Sequence, residues 1–102
     1  MQGVRIRLCT EPTDMRRGFD GLSGMTQTLL QQDPLSGHLF VFRNRNRDKL
    51  KILYWDSDGL AIWYKRLGQG TFQFPTDGGS RLGPIVLRPG WVQAGALRAQ
   101  NR

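Results

Sequence analysis

The chain has 102 residues and a net charge of +7, from fifteen Lys and Arg residues against eight Asp and Glu residues. That length accommodates one small domain, and the single cysteine excludes an intrachain disulfide. The sequence contains no zinc-type Cys/His cluster, no signal-peptide pattern and no apolar run near the ~20 residues of a membrane span, so we expect a cytoplasmic protein. Most of the cations are Arg, which pairs with phosphate through two bonds, so the composition favours a nucleic-acid partner.

The N-terminal part predicts one strand followed by one helix. Residues 4–10 alternate apolar and polar side chains with the period of a half-buried strand. Thr13 or Asp14 can cap a helix through a side-chain oxygen, and Asp33 with Pro34 ends it. The apolar residues that recur at helical spacing between these signals are Phe19, Leu22, Met25, Leu29 and Leu30.

Three glycines, Gly18, Gly21 and Gly24, lie three residues apart along the predicted helix. Each costs the helix roughly 1 kcal/mol relative to Ala. We expect this flank to pack tightly on the sheet, with close approach of a partner's backbone as the alternative.

Two arginines, Arg16 and Arg17, lie at the start of the same helix, where the helix dipole disfavours cations. Their presence therefore has another cause. Either they pair with the neighbouring aspartates, Asp14 and Asp20, or they bind an external anion, and the sequence leaves both explanations open.

Residues 38–74 predict an antiparallel meander. Strands are expected over residues 39–42, 50–55, 60–67 and 71–74, with a turn at Asp58 and Gly59 and a Gly-rich turn before residue 71. The predicted fold is α+β: an N-terminal strand, one helix and a four-stranded antiparallel meander curled against that helix. A half-open barrel is the alternative. We expect residues 1–75 to form one domain and residues 76–102 to form a weakly ordered tail.

A row of cations follows the second predicted strand, with Lys or Arg at every second position from 43 to 51. In an extended chain all five side chains would point the same way, whereas a loop around Asn44, Asn46 and Asp48 would fan them out from a tip. Either arrangement makes a compact positive surface that can neutralise phosphates.

Four aromatic residues in the meander could offer flat faces to bases, although cross-strand packing is the favoured explanation for them. They are Tyr54, Trp55, Trp63 and Tyr64.

The sequence contains no recognisable catalytic constellation. Cys9 has no neighbouring cation that would lower its pKa, and His38 is a lone histidine at the start of a strand. Most of the acids occupy cap or turn positions, where local hydrogen bonds account for them. Asp56 and Asp58 are the pair that a metal-dependent nuclease would use, and this is the least favoured function.

Four segments of the chain resemble a known family: TDMRRGFDGL at residues 13–22, DPLSGHLFVFRNRNRDKLKILYWD at 33–56, DGLAIWYKRL at 58–67 and GTFQFP at 70–75. They are similar to the small TnpB-type accessory protein, from the second reading frame, of the bacterial insertion sequence sixty-six family. The resemblance implies a non-catalytic role in moving a mobile DNA element, beside a separate transposase that carries the catalytic carboxylates. It implies no catalytic residues and no cofactor.

Charge and resemblance together predict a protein that binds DNA, with the transposase as a second partner. The alternative is a protein–protein adaptor that uses Trp55 and Trp63 without direct DNA contact. After Pro75 the sequence departs from the Leu-rich ending of the family, which leads to the hypothesis of a frameshifted gene copy; a Leu-rich reading in another frame would support it, and its absence would count against it. The residues predicted to contact DNA are Arg16, Arg17, Arg43, Arg45, Arg47, Lys49, Lys51, Lys65 and Arg66.

Overall fold

In the computed structural model, which describes residues 3–74, one helix packs against a four-stranded sheet. The elements in chain order are β1 (Ile6–Cys9), α1 (Phe19–Thr28), β2 (Leu39–Arg43), β3 (Lys49–Asp56) and β4 (Gly59–Arg66). The predicted α+β class is therefore confirmed. Pro75 and the tail predicted over 76–102 lie outside the described residues.

The sheet is mixed, so the predicted all-antiparallel arrangement is only partly right. Strand β1 runs parallel to β2, with Ile6 opposite Leu39 and Cys9 opposite Phe42. A parallel pair needs a long crossover connection, and the segment containing α1 supplies it. Strands β2, β3 and β4 form the antiparallel part, in the order β1-β2-β3-β4.

The predicted last strand over residues 71–74 is not a member of this sheet. Instead, the backbone N–H of Phe72 donates to the carbonyl of Arg47 in the β2–β3 loop, at 2.7 Å. The side chains of Phe72 and Phe74 are buried. This segment therefore covers one face of the sheet rather than extending its edge, and the four described strands form an open sheet rather than the alternative barrel.

Each face of the sheet carries its own apolar core. The core between the sheet and α1, called here the helix-side core, contains Cys9, Leu22, Phe40, Phe42 and Leu53. The core on the other face, called here the far-side core, contains Leu39, Val41, Leu50, Ile52, Leu67, Phe72 and Phe74. Every residue of β2 is buried as a result, as is typical of a strand that is covered on both sides.

Helix α1 begins later than predicted, at Phe19, and its N-cap residue Gly18 makes no side-chain capping bond. Thr13, which was predicted to cap the helix, lies instead in the segment that precedes it. Thr13 is buried, its backbone N–H donates to the carbonyl of Arg43 at 2.9 Å, and its hydroxyl donates to the carbonyl of Glu11 at 3.3 Å. Residues 10–18 therefore form a separate connection that runs past the end of β2.

The glycines of α1 face open space, so the expected tight packing on the sheet was wrong. A Cβ added at Gly18 or Gly24 would meet no atom within 4 Å, and at Gly21 it would meet the Arg17 side chain at 3.1 Å. Leu22 and Thr26 point into the protein instead and are buried. Gly21 and Gly24 therefore lie on the side of the helix away from the sheet.

Candidate nucleic-acid interface

The β2–β3 loop (residues 44–48) is a tight reversal that its own side chains hold in place. The Asn44 side chain donates from Nδ2 to Oδ1 of Asp48 at 2.7 Å, and its Oδ1 accepts the backbone N–H of Lys49 at 2.9 Å. The backbone N–H of Arg47 donates to the Asn44 carbonyl at 3.1 Å. Arg47 adopts a positive φ of 64°. Of the two arrangements predicted for the row of cations, the loop is therefore the one observed.

The five cations from residue 43 to 51 consequently do not share one direction. Residues opposite each other in an antiparallel pair project from the same face of the sheet. Lys51 is opposite Phe42 and Tyr64, on the helix side, whereas Arg43 is opposite Leu50, on the far side. Arg45 and Arg47 are exposed in the loop between them. The spacing of two residues does not place these cations on one face, because the chain reverses direction at residues 44–48.

Arg43 is a buried residue, with 6% of its surface exposed. Its Nη1 donates to the carbonyl of Phe72 at 3.1 Å, and its guanidinium lies 3.9 Å from the centroid of the Phe74 ring. A guanidinium over an aromatic face is attracted by the ring quadrupole. Arg43 therefore fastens residues 72–74 onto the far-side core, and this engagement argues against its predicted contact with DNA.

Lys51 is also buried, with 9% exposed. Its ammonium donates to the carbonyls of Met15 and Arg17, at 2.7 and 2.8 Å, and lies 4.7 Å from the centroid of the Tyr64 ring. Two carbonyls and an aromatic face replace the water that a buried ammonium loses. Lys51 thus ties the connection before α1 to the sheet, and it too is poorly placed for the predicted contact with DNA.

The other predicted residues are at or near the surface. Arg16, Arg17, Arg45, Arg47 and Arg66 are exposed, and Lys49 and Lys65 are half-buried. Lys65 is opposite Leu50 and so projects from the far side of the sheet, whereas Lys49 and Arg66 are opposite each other on the helix side. Like charges directly opposite each other in a sheet are destabilising. The ammonium of Lys49 is 3.7 Å from Oδ1 of Asp48, which offsets part of this repulsion.

Arg16 forms an exposed ion pair with Asp14, which fulfils the pairing explanation for this arginine. The Nη2–Oδ2 distance is 2.7 Å, Nε also donates to the same carboxylate, and the backbone N–H of Arg16 donates to Oδ1 at 2.8 Å. These hydrogen bonds lower the pKa of Asp14 from 3.8 to about 2. Asp14 is therefore ionised at neutral pH and neutralises part of the charge at this position.

An open groove of about 580 Å³, called here the Tyr64 groove, lies beside these cations. The connection before α1, the β2–β3 loop and the sheet each contribute residues to it. Tyr64 is 50% exposed, although the sequence alone favoured packing for all four aromatic residues of the meander. The residues that line the groove are Thr13, Asp14, Met15, Arg16, Asn44, Arg45, Asn46, Lys49 and Tyr64.

The packing interpretation holds for Tyr54 and Trp63, which are partly buried against the far-side core. Trp55 is 36% exposed, at the end of β3 away from the β2–β3 loop. Alternation places Tyr64 and Trp63 on opposite faces of the strand, but it does not state which of the two faces is exposed. The strand register, which the sequence does not state, places Tyr64 next to Lys51.

The residues considered for catalysis have structural partners or lie in turns. Cys9 is 2% exposed in the helix-side core, and burial raises the pKa of its thiol. Nδ1 of His38 accepts the backbone N–H of Arg5 at 3.1 Å. Asp56 and Asp58 are exposed at the β3–β4 turn. Within residues 3–74 no three His, Cys, Asp or Glu residues are grouped as metal ligands would be.

Over the same residues the structure contains no helix that is long and apolar enough to span a membrane.

Comparison with known proteins gives one consistent result. A family model described as "IS66 Orf2 like protein" matches residues 4–88, which continues past Pro75, where the resemblance was expected to end. The uncharacterized protein y4jC of Sinorhizobium fredii is 40% identical over 85 residues, covering 81% of this chain and 73% of the relative. A second protein of that organism, y4hO, is 41% identical over 88 residues, covering 86% and 74%. No solved structure matches the chain.

Proposed function

The chain belongs to the IS66 Orf2-like family, and on that premise we propose that it is a non-catalytic accessory protein of DNA transposition. It binds DNA through a basic surface and acts beside a separate transposase. This function requires no cofactor and no catalytic residue of its own.

The observation that carries DNA binding is the concentration of cations around the β2–β3 loop. Arg45 and Arg47 are exposed in the loop, and Lys49 and Arg66 face each other directly beyond it. Two like charges opposite each other destabilise a sheet, so the stability of the fold does not account for this pair. A phosphate backbone placed over Lys49 and Arg66 would reduce their mutual repulsion, because the phosphates neutralise part of both charges.

The proposed DNA contacts are therefore a subset of those predicted from the sequence. Arg43 and Lys51 serve the scaffold. Lys65 projects from the face opposite Lys49 and Arg66, so it reaches only a DNA that wraps the edge of the sheet. The residues proposed to contact phosphates are Arg16, Arg17, Arg45, Arg47, Lys49, Lys65 and Arg66.

A salt-titrated binding measurement tests the proposal. The probe is a fluorescein-labelled duplex from an end of the parent insertion element, with anisotropy as the readout. The slope of log affinity against log salt should fall by about 0.9 for each phosphate contact removed from B-form DNA. Arg45→Ala should lower the slope by about that amount, and Lys49→Ala with Arg66→Ala should lower it further.

The matched control is Arg5→Ala, which removes the same charge from an exposed position before β1. Equal slopes for Arg5→Ala, Arg45→Ala and the unchanged protein would refute the assignment of the β2–β3 loop as the interface. Repeating the titration with the transposase present shows whether the two proteins bind the same DNA together.

A second candidate function, the adaptor, is favoured by the exposed flank of α1. Phe19 and Leu29 are 50% and 51% exposed, and a groove of about 770 Å³ runs along Gly21 and Gly24. Exposed apolar side chains beside bare backbone suit contact with another protein. On this hypothesis the transposase co-purifies with the chain in high salt after nuclease treatment, and Phe19→Asp abolishes the association. If nuclease treatment alone separates the two proteins, DNA is the link between them.

A further inference from the structure

We propose that the Tyr64 groove is a binding site for single-stranded DNA, in which an unpaired base stacks on the Tyr64 ring while the surrounding cations hold the adjacent phosphates. The proposal rests on the DNA-binding function proposed above and specifies the form of DNA that the site accepts.

The first argument concerns the orientation of the Tyr64 ring. The Lys51 ammonium lies 4.7 Å from its centroid and is itself held by the carbonyls of Met15 and Arg17. The cation thus covers one ring face, and the exposed half of the side chain lines the groove. A ring held in this way loses little conformational freedom when a ligand binds, so a stacking partner gains most of the interaction energy.

The second argument concerns the charge around the ring. Arg45 and Lys49 line the same groove, and Arg66 lies opposite Lys49 in the sheet. Asp14 is the acidic residue among the groove residues, and Arg16 already pairs with it. Lys49 has Asp48 Oδ1 at 3.7 Å, so Arg45 and Arg66 supply most of the net positive charge beside the ring. An aromatic face flanked by net positive charge is the arrangement that binds single strands, since bases stack on the ring and phosphates contact the cations.

The third argument separates a single strand from a duplex. In a duplex each base is stacked between its neighbours, so a ring in the wall of a groove reaches the backbone but no base face. In a single strand a base can turn into the groove. The available volume, about 580 Å³, lies within the usual range of roughly 300–1,000 Å³ for ligand sites.

The experiment compares two labelled strands of ~16 nucleotides, a length near the upper site size of single-strand binders. One is oligothymidylate, and the other has the same backbone with every base removed. Because phosphate contacts are equal in both, the ratio of the two affinities measures the contribution of the bases. We expect the unchanged protein to bind oligothymidylate at least about tenfold more tightly than the abasic strand.

The variants assign that preference to Tyr64. Tyr64→Phe keeps the ring and should retain the preference, whereas Tyr64→Leu should reduce it to about twofold or less. Trp55→Leu is the matched control, because it removes an exposed aromatic from the same strand pair away from the groove. Thermal melting of each variant reports whether the fold is intact.

Three outcomes would overturn the proposal. Equal affinity of the unchanged protein for both strands shows that bases are not contacted, and it requires no variant. A preference that survives in Tyr64→Leu places the bases elsewhere. Binding to duplex DNA with no binding to single strands leaves the proposed function standing and refutes this site alone, whereas failure to bind any DNA refutes both.

Discussion

Arg43 and Arg45 are two residues apart in the sequence, and the structure gives them opposite roles. Arg43→Met removes a buried guanidinium and keeps much of its aliphatic volume. We expect this substitution to unfold the protein more readily and to leave the phosphate contacts in place. Arg45→Met, at the exposed loop, should do the reverse.

The magnitude for Arg43 is worked from two of its side-chain contacts. A hydrogen bond from a charged donor, such as the one to the Phe72 carbonyl, contributes about 1.5–3 kcal/mol, which includes the cost of leaving that carbonyl without a partner. The contact with the Phe74 ring contributes up to about 2 kcal/mol when desolvated. Removing a buried charge also relieves its desolvation cost, so we expect a net loss of roughly 2–3 kcal/mol.

Urea denaturation followed by tryptophan fluorescence measures this loss, because Trp63 packs against the far-side core that residues 72–74 cover. With a slope of ~1.5 kcal/mol per molar urea, the midpoint should fall by roughly 1.3–2 M. Arg45→Met should stay within about 0.5 kcal/mol of the unchanged protein. The reasoning would be refuted if Arg43→Met unfolded at the unchanged urea concentration while its salt slope for DNA binding fell as much as that of Arg45→Met.

Three further predictions follow from residues on or near the connection before α1. Asp14→Asn should strengthen DNA binding severalfold at neutral pH, because it releases Arg16; anisotropy at low salt measures this, and unchanged affinity would place Arg16 outside the interface. The pKa of Asp14 is depressed, so the ion pair contributes fully above pH 3.8 and is lost as the pH falls through about 2; we therefore expect no change in DNA affinity from this group between pH 5 and 8, which the same assay can follow. Gly24→Ala should raise the free energy of unfolding by about 1 kcal/mol, since its Cβ enters open space; Gly21→Ala, whose Cβ meets Arg17, should gain less, and equal gains in urea denaturation would contradict this.

Strands β2, β3 and β4 could be predicted from the sequence because each is a short apolar run bounded by turn residues, and both signals are visible in one dimension. Thus β3 and β4 were expected within one or two residues of where they lie. The parallel pairing of β1 could not be predicted in this way. The alternation of apolar and polar residues in a strand is the same whether the neighbouring strand runs parallel or antiparallel. Only the path of the crossover through α1 decides which of the two pairings forms.

The site was harder to predict than the fold, since contacts with distant parts of the chain decide which cations are buried and which are exposed. Arg43 and Lys51 look in the sequence like the other cations. Their burial is possible because they donate hydrogen bonds to carbonyls outside the strands: Arg43 to Phe72, and Lys51 to Met15 and Arg17. Local reasoning also placed the helix start at Thr13 and Asp14, whose oxygens could have capped it. In the structure the backbone N–H of Thr13 donates to the carbonyl of Arg43, and Asp14 forms a salt bridge with Arg16.

The facing pair Lys49 and Arg66 makes the folded state sensitive to the anions around it. In the free protein their mutual repulsion opposes closure of β3 on β4 at the end near residue 49. Any polyanion that binds only the folded chain removes that penalty, and its binding free energy is added to the free energy of unfolding. The melting temperature should thus rise in phosphate or heparin relative to chloride of equal ionic strength. The end of the sheet that is proposed to contact DNA is therefore also the end that we expect to open first when no anion is present.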